Sequence, residues 1–447
     1  MNDLRGNPVG THSAPALQAA EHALWRMMSF YGTPFDDLAA AQAADPNWVL
    51  PRLMHAGFLL SLTEPAVRSE ARTLLARARP LAWRAPEREQ AHWTALRRLL
   101  EGDWQGACQD WEVLLLRHPR DALALHWAHL FDFHRGDAAN LRLRVARVLP
   151  QWGGDDPLHP YVLGQYAFGL EECQLYDQAE AMGRQALATS AKVPWAIHAV
   201  AHVMEMQGRS ADGSAWMRHW HADWTQGNGF ASHLGWHEAL FALESMDTAT
   251  ALALFDRFIG PEVTEITLQR VDAAALLWRL SLLGVDVGHR WHALAAGWDL
   301  QDGAAGLYPF NDLHAVLALI GSGQVPRARQ WCAGVLGSAA RRPTGLRAVI
   351  REAAVPLMRG LLAYAESNFD ECVDRLYAAR ASAFRCGGSH AQRDLIDQTV
   401  LAASCVAHDK SRGRALLNER RLAKPVTELT HHWARCLDLP LRESVPA

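Results

Sequence analysis

The stretch YVLGQYAFGLEECQLYDQAEAMGRQALA, residues 161–188, decides the fold. From Gln178 onward, Ala179, Met182, Ala186 and Leu187 recur at steps of three and four, which places them on one stripe of an α-helix. Tyr176 and Asp177 mark a turn before that helix, and an apolar segment beginning at Tyr161 precedes the turn. Two helices joined this closely form an antiparallel hairpin, and the small Ala179 lets them approach.

Working outward, the same unit returns along the chain. Second helices are expected near Asp103-Trp104-Gln105-Gly106-Ala107, Asp247-Thr248-Ala249, Val325-Pro326-Arg327-Ala328 and Asn368-Phe369-Asp370. Helix pairs are expected to begin near Pro46, Pro86, Ala122, Pro160, Val193, Phe230, Val263, Pro309, Leu346 and His390. Breaks such as Gly102-Asp103, Gly136-Asp137, Gly208 and Gly321-Ser322-Gly323 separate them. Strand patterns are nearly missing. The expectation is an all-α fold, a right-handed superhelical solenoid of tetratricopeptide-like antiparallel helix pairs. Residues 41–425 would form the solenoid as a single domain, with caps at 1–40 and 426–447 over its apolar ends.

Bulk properties narrow the partners. A formal net charge of -4 with scattered basic residues argues against nucleic acid. No apolar run is long enough to span a membrane, and Met1 to Pro15 lacks a signal-peptide pattern. The seven cysteines include no C-x-x-C pair and are odd in number, which fits buried thiols in a reducing cytoplasm. Phosphate-binding glycine loops, a G-x-S-x-G elbow and H-E-x-x-H are all missing, which leaves nucleotide-dependent and serine-hydrolase chemistry without support.

Three segments carry a family resemblance. Tyr166 to Glu180 reads YAFGLEECQLYDQAE, His198 to Met206 reads HAVAHVMEM, and Ser232 to Leu240 reads SHLGWHEAL. They resemble the Y-x-F-G-L-x-E-x-x-x-Y-D-Q-A-E, H-x-x-A-H-x-x-E-M and C-H-N-x-W-H-x-A-L segments of the tetratricopeptide repeat protein 38 family. Similar pieces at Ala44-Asp45-Pro46, Phe310 to His314 and Gln392-Arg393-Asp394 extend the likeness over residues 20 to 435. Ser232 and Leu234 depart from it, standing where the family often has Cys and Asn. The resemblance implies the helical-repeat fold and carries no specific activity.

Independently of it, histidines and acids form a ladder. His198, His202 and Glu205 fall at i, i+4 and i+7, on one face of a single helix. His233 and His237 repeat the i, i+4 step 35 residues later. Counting from the inter-helix turns instead sets this second pair about three residues lower, close to one turn of ~5.4 Å. Glu171, Asp272, Asp312 and His314 extend the row on neighbouring first helices, and Trp236 stands beside it. First helices of successive repeats line the concave groove at ~8–10 Å spacing, so their side chains can converge.

Three readings follow. His198, His202, Glu205, His233 and His237 are a ligand set for zinc, iron or manganese. Without metal, His198, His202, Glu205 and His237 suit general acid–base catalysis, with Glu171, His233, Trp236, Asp272, Asp312 and His314 holding a small molecule. Alternatively, buried histidines satisfy one another inside a tight array. Between function classes, a closed pocket for a small-molecule ligand fits this polar face better than a track for a peptide, and a protein-interaction scaffold is the runner-up.

Overall fold

The computed structural model describes residues 1–298, 300 and 303–440. Among these, all regular structure is helical, and extended pairing is confined to two isolated bridges, Asn2 with Pro8 and Tyr31 with Asn228. Helices begin at Leu50, Glu87, Ala122, His159, Pro194, Ala231, Thr267, Pro309, Thr344 and His390, within four residues of each expected start. No helix among the described residues is long and apolar enough to cross a membrane. Of the 426–447 segment, residues 441–447 lie outside the described residues, and Glu428–Cys436 is helical.

One turn geometry recurs. At Gly102, Gly136, Gln174, Gly208, Met246, Gly284 and Gly323 a single residue takes positive φ. The following N–H then donates to the carbonyl five residues back, as in Asp103 to Arg98 (2.9 Å), Leu175 to Leu170 (3.0 Å) and Gln324 to Leu319 (2.8 Å). This bond closes the end of the first helix, and a left-handed residue is what permits it. Asp103, Asp137 and Asp247 then cap the next helix, each accepting from the N–H three residues on. The Gly-Asp punctuation in the sequence is this turn. Successive turns of this kind are 34 to 39 residues apart.

Contacts divide the chain into two compact units, 1–200 with 222–230, and 201–221 with 231–447. The helix Pro194–Met206 contributes residues to both.

In the first unit, Leu141, Ala167, Phe168, Trp195 and Ala199 form a buried cluster, with Phe30, Phe133 and Phe230 packed against it. Helices approach closely at small residues. A Cβ on Gly169 would lie 2.5 Å from the Leu141 carbonyl oxygen, and one on Gly183 would lie 2.6 Å from Val200. A buried polar network also sits here. Arg88 Nε donates to Asp121 Oδ2 at 2.6 Å, His92 Nε2 donates to the same oxygen at 3.0 Å, and Trp111 Nε1 donates to His92 Nδ1 at 3.3 Å.

In the second unit, Ala231–Glu244, Thr267–Leu282, Pro309–Gly321 and His390–Val406 bury most of their length, polar residues included. Amphipathic surface helices expose one side. These expose little, and His237, Glu244, Asp272, Arg279, Asp312 and His314 are held in the interior.

Candidate functional site

His202 and Glu205 reach the second unit from the last two turns of Pro194–Met206. His233, Trp236 and His237 come from Ala231–Glu244, and Asp272 with Arg279 from Thr267–Leu282. His202 and His237, 35 residues apart in sequence, face each other with ring centroids 4.4 Å apart. His233 and His237 are 4.9 Å apart at a right angle. His202, His233 and His237 each present a ring nitrogen, and these nitrogens lie within 4.8 Å of one another. Edges of a tetrahedral zinc site measure about 3.4 Å from Zn–N bonds of ~2.0–2.1 Å.

The acids take separate parts. Glu205 Oε2 lies 3.5 Å from His237 Nδ1. Asp272 Oδ2 lies 2.7 Å from His233 Nδ1. A carboxylate oxygen only accepts, so His233 Nδ1 is the donor in this bond. The other Asp272 oxygen accepts from Gln392 Nε2 at 2.9 Å. Gln392 is fixed in turn by the start of its own helix. Its Oε1 accepts from Ser389 N–H, while Ser389 Oγ accepts from Gln392 N–H, a reciprocal cap. Arg279 donates to the Ala391 carbonyl at 2.6 Å and holds the same turn from the other side. Trp236 stacks on His233 at 5.5 Å, with the Arg279 guanidinium 5.5 Å from its ring.

Burial sets the charge states. His202 and His237 are fully buried, which holds both well below the usual imidazole range, and neighbouring histidines push the same way. They are neutral at pH 7, the form that binds metal. Burial raises Glu205 to about 7, with Glu244 and Asp394 adding to it against the pull of Lys424. His314 is pushed down to about 4 by burial. Its Nδ1 donates to the Phe310 carbonyl at 2.8 Å, and the proximity of Asp272 favours its charged form. Several buried polar atoms around this core, including Trp236 Nε1, His314 Nε2 and Ser232 Oγ, have no hydrogen-bond partner among the described residues.

His198 is one turn before His202 on the same helix, and its ring meets Phe168, Trp195 and Phe230 of the first unit at 5.0 to 5.5 Å. Glu171 is buried near the end of His159–Glu172, also in the first unit. Asp312 is engaged elsewhere, accepting from Gly306 N–H at 3.0 Å and Trp331 Nε1 at 3.1 Å, and burial raises it to about 7. His219 is exposed on its helix.

A cavity of about 250 Å³ shares Glu205 as a wall. Its other charged walls are His390, Arg393, Asp394, Arg420 and Lys424, with Arg380 and Asp397 at its edge. Lys424 donates to Glu244 at 2.6 Å, and Arg420 pairs with Asp394. Sequence reasoning missed Gln392, Arg279 and Lys424 as parts of the site. A signal existed for Gln392, since Ser389 followed by Gln392 is a capping-box pattern, although nothing in it points to Asp272. No protein-family model matches the chain.

Proposed function

We propose that this chain is a metalloprotein in which His202, His233, His237 and Glu205 hold one divalent transition metal, zinc, iron or manganese, beside a chamber for a small molecule. The observation that carries this reading is the bond from His233 to Asp272, backed by Gln392. Metal-binding histidines are typically oriented by a carboxylate on the far nitrogen, and that carboxylate is itself hydrogen-bonded. Neutral, buried imidazoles and one carboxylate match the donor set of zinc, iron and manganese enzymes.

A second reading, metal-free acid–base chemistry on a small molecule, is supported by Glu205. A carboxyl titrating at about 7, next to a neutral imidazole at 3.5 Å, is matched to proton transfer near neutral pH. A peptide-binding scaffold has less support, because His202, His237 and Asp272 are at most 2% exposed and offer a peptide little surface.

The recurrent left-handed turn at 34 to 39 residues supports reading the helices as a tetratricopeptide-type solenoid, and the three motif segments support placing it near the tetratricopeptide repeat protein 38 family.

Elemental analysis of untagged protein tests the metal reading. About one zinc, iron or manganese per chain is expected, falling away when His202 and His237 are both changed to Ala. Protein that stays metal-free after incubation with all three ions would leave the acid–base reading in place of the metal one.

A further inference from the structure

The helix Arg68–Ala82 of the first unit buries Ala71, Leu75, Ala78 and Ala82. Its opposite side is exposed and carries two stripes at helical spacing. One is Arg72, Ala76, Arg79 and Trp83, and the other is Thr73, Arg77, Pro80 and Arg84. Trp83, the C-cap residue, keeps helical φ and ψ and so extends the first stripe. It is 72% exposed, the one tryptophan among the exposed large apolar side chains of the described residues. Arg72, Arg77, Arg79 and Arg84 make no ion pair and no side-chain hydrogen bond among the described residues. Arg68 stands outside this set, because it donates to the Leu100 carbonyl. On the next helix the arginines are paired, Arg97 with Glu101 and Arg98 with Asp103. Glu70, the only acid of Arg68–Ala82, lies 3.6 Å from His55. Four uncompensated positive charges and a bare indole thus share one face, in a chain whose formal net charge is -4.

We infer that this face docks on a membrane surface rich in anionic lipid, with the four arginines on lipid head groups and the Trp83 ring at head-group level. Three observations choose this partner. Side chains that line a cleft are partly covered, whereas Arg72, Ala76, Arg79, Pro80, Trp83 and Arg84 are all exposed, so the face suits a flat partner rather than an enclosed strand. The charge is spread along the helix, over about 18 Å from Arg72 to Arg84 at ~1.5 Å per residue, which matches a sheet of charge better than a single phosphate. The one aromatic ring is a tryptophan, the side chain that settles at membrane–water interfaces. Surfaces that bind single nucleic-acid strands instead offer stacking rings in series. The contact is peripheral and reversible. Each arginine near an anionic surface strengthens partition about fivefold, and salt screens the attraction. The histidine centre plays no part in this docking, so either reading can fail without the other.

The test sediments full-length protein with sucrose-loaded vesicles of phosphatidylcholine alone, or of phosphatidylcholine with ~30% phosphatidylserine. Binding to the anionic vesicles is expected, weakening about tenfold or more between ~50 and ~300 mM salt, with none to phosphatidylcholine alone. Changing Arg72 and Arg79 together to Gln should weaken it about 25-fold, and changing all four arginines should weaken it further. Trp83→Ala should weaken it severalfold. Arg351→Gln, at an exposed arginine of another helical segment, should bind as the parent does. Circular dichroism should confirm that all variants are folded. A single-stranded oligonucleotide and a decaglutamate peptide are titrated separately by fluorescence anisotropy. The proposal is overturned if anionic vesicles at millimolar lipid carry down no protein, if both vesicle types bind equally, or if the folded four-arginine variant binds as the parent does. Oligonucleotide or decaglutamate binding through the same arginines, without vesicle binding, would replace lipid by that partner and overturn it too.

Discussion

Asp272 lies 2.7 Å from His233 on one side and accepts from Gln392 on the other, although Gln392 is 120 residues further along the chain. The proposed ligand, the carboxylate bonded to it and the group that holds that carboxylate therefore come from three helices that sequence proximity does not connect. Gln392→Ala and Asp272→Asn should each weaken metal binding about 10- to 100-fold without touching the metal's own donors. Competition against a chromophoric chelator reads this directly. Unchanged affinity in both variants would mean that His233 is not a ligand.

Glu205 makes the site sensitive to pH in a defined direction. Its folded-state pKa is raised from 4.5 to about 7, so the stability linked to its proton is fully present below ~4.5 and lost as pH rises through about 7. Metal-free Glu205→Gln should therefore be more stable than the parent at pH 8, by on the order of 1–3 kcal/mol, and equal to it near pH 4. His202 and His237 are shifted the opposite way. Their contribution is present above ~6.5 and lost as pH falls below that value. Urea unfolding at pH 4, 6 and 8 checks both signs. A parent and Glu205→Gln of equal stability at pH 8 would contradict the buried, strained carboxyl.

Two kinds of buried histidine should respond differently to mutation. His92 is satisfied on both nitrogens, and Asp121 serves it together with Arg88. Asp121→Ala removes the nearer carboxylate from a buried guanidinium, leaving Asp3 at 3.7 Å, and should cost about 3–5 kcal/mol. His202→Ala, in a cluster held for function, should shift the melting temperature of metal-free protein by less than ~2 °C. If His202→Ala is as damaging as Asp121→Ala in metal-free protein, the cluster is structural.

Ser367, outside the regular spacing, makes the same left-handed turn with φ of 61°, Asn368 N–H donating to the Ala363 carbonyl at 2.9 Å, and is exposed. Glycine takes that conformation without the side-chain penalty, which is roughly 1 kcal/mol. Ser367→Gly should raise the urea midpoint, and Ser367→Val should lower it. The reverse order would show that the side chain makes contacts that outweigh backbone strain.

Much of the helical architecture was legible because its turns are written locally. Gly-Asp supplies the left-handed residue and the cap, and the apolar stripes supply the helices. The 35-residue step was legible and His202 and His237 do face each other, although His237 sits three residues further from its turn at Met246 than His202 does from its turn at Gly208, as counting from the turns predicted. Other placements were not. Asp272, expected as part of a row, serves His233 in particular. Asp312 is drawn away by Gly306 and Trp331, because the chain before its helix folds back over it. Gln392, Arg393 and Lys424 were invisible as site residues, because repeat spacing describes neighbours and says nothing about which distant helix supplies the far wall.

The reciprocal cap at Ser389 and Gln392 has a further consequence. The side chain that closes the first turn of His390–Val406 is also the one that steadies Asp272, so the site and the helix end cannot loosen separately. Loosening that turn would release Asp272 at the same moment, so the two are one cooperative unit.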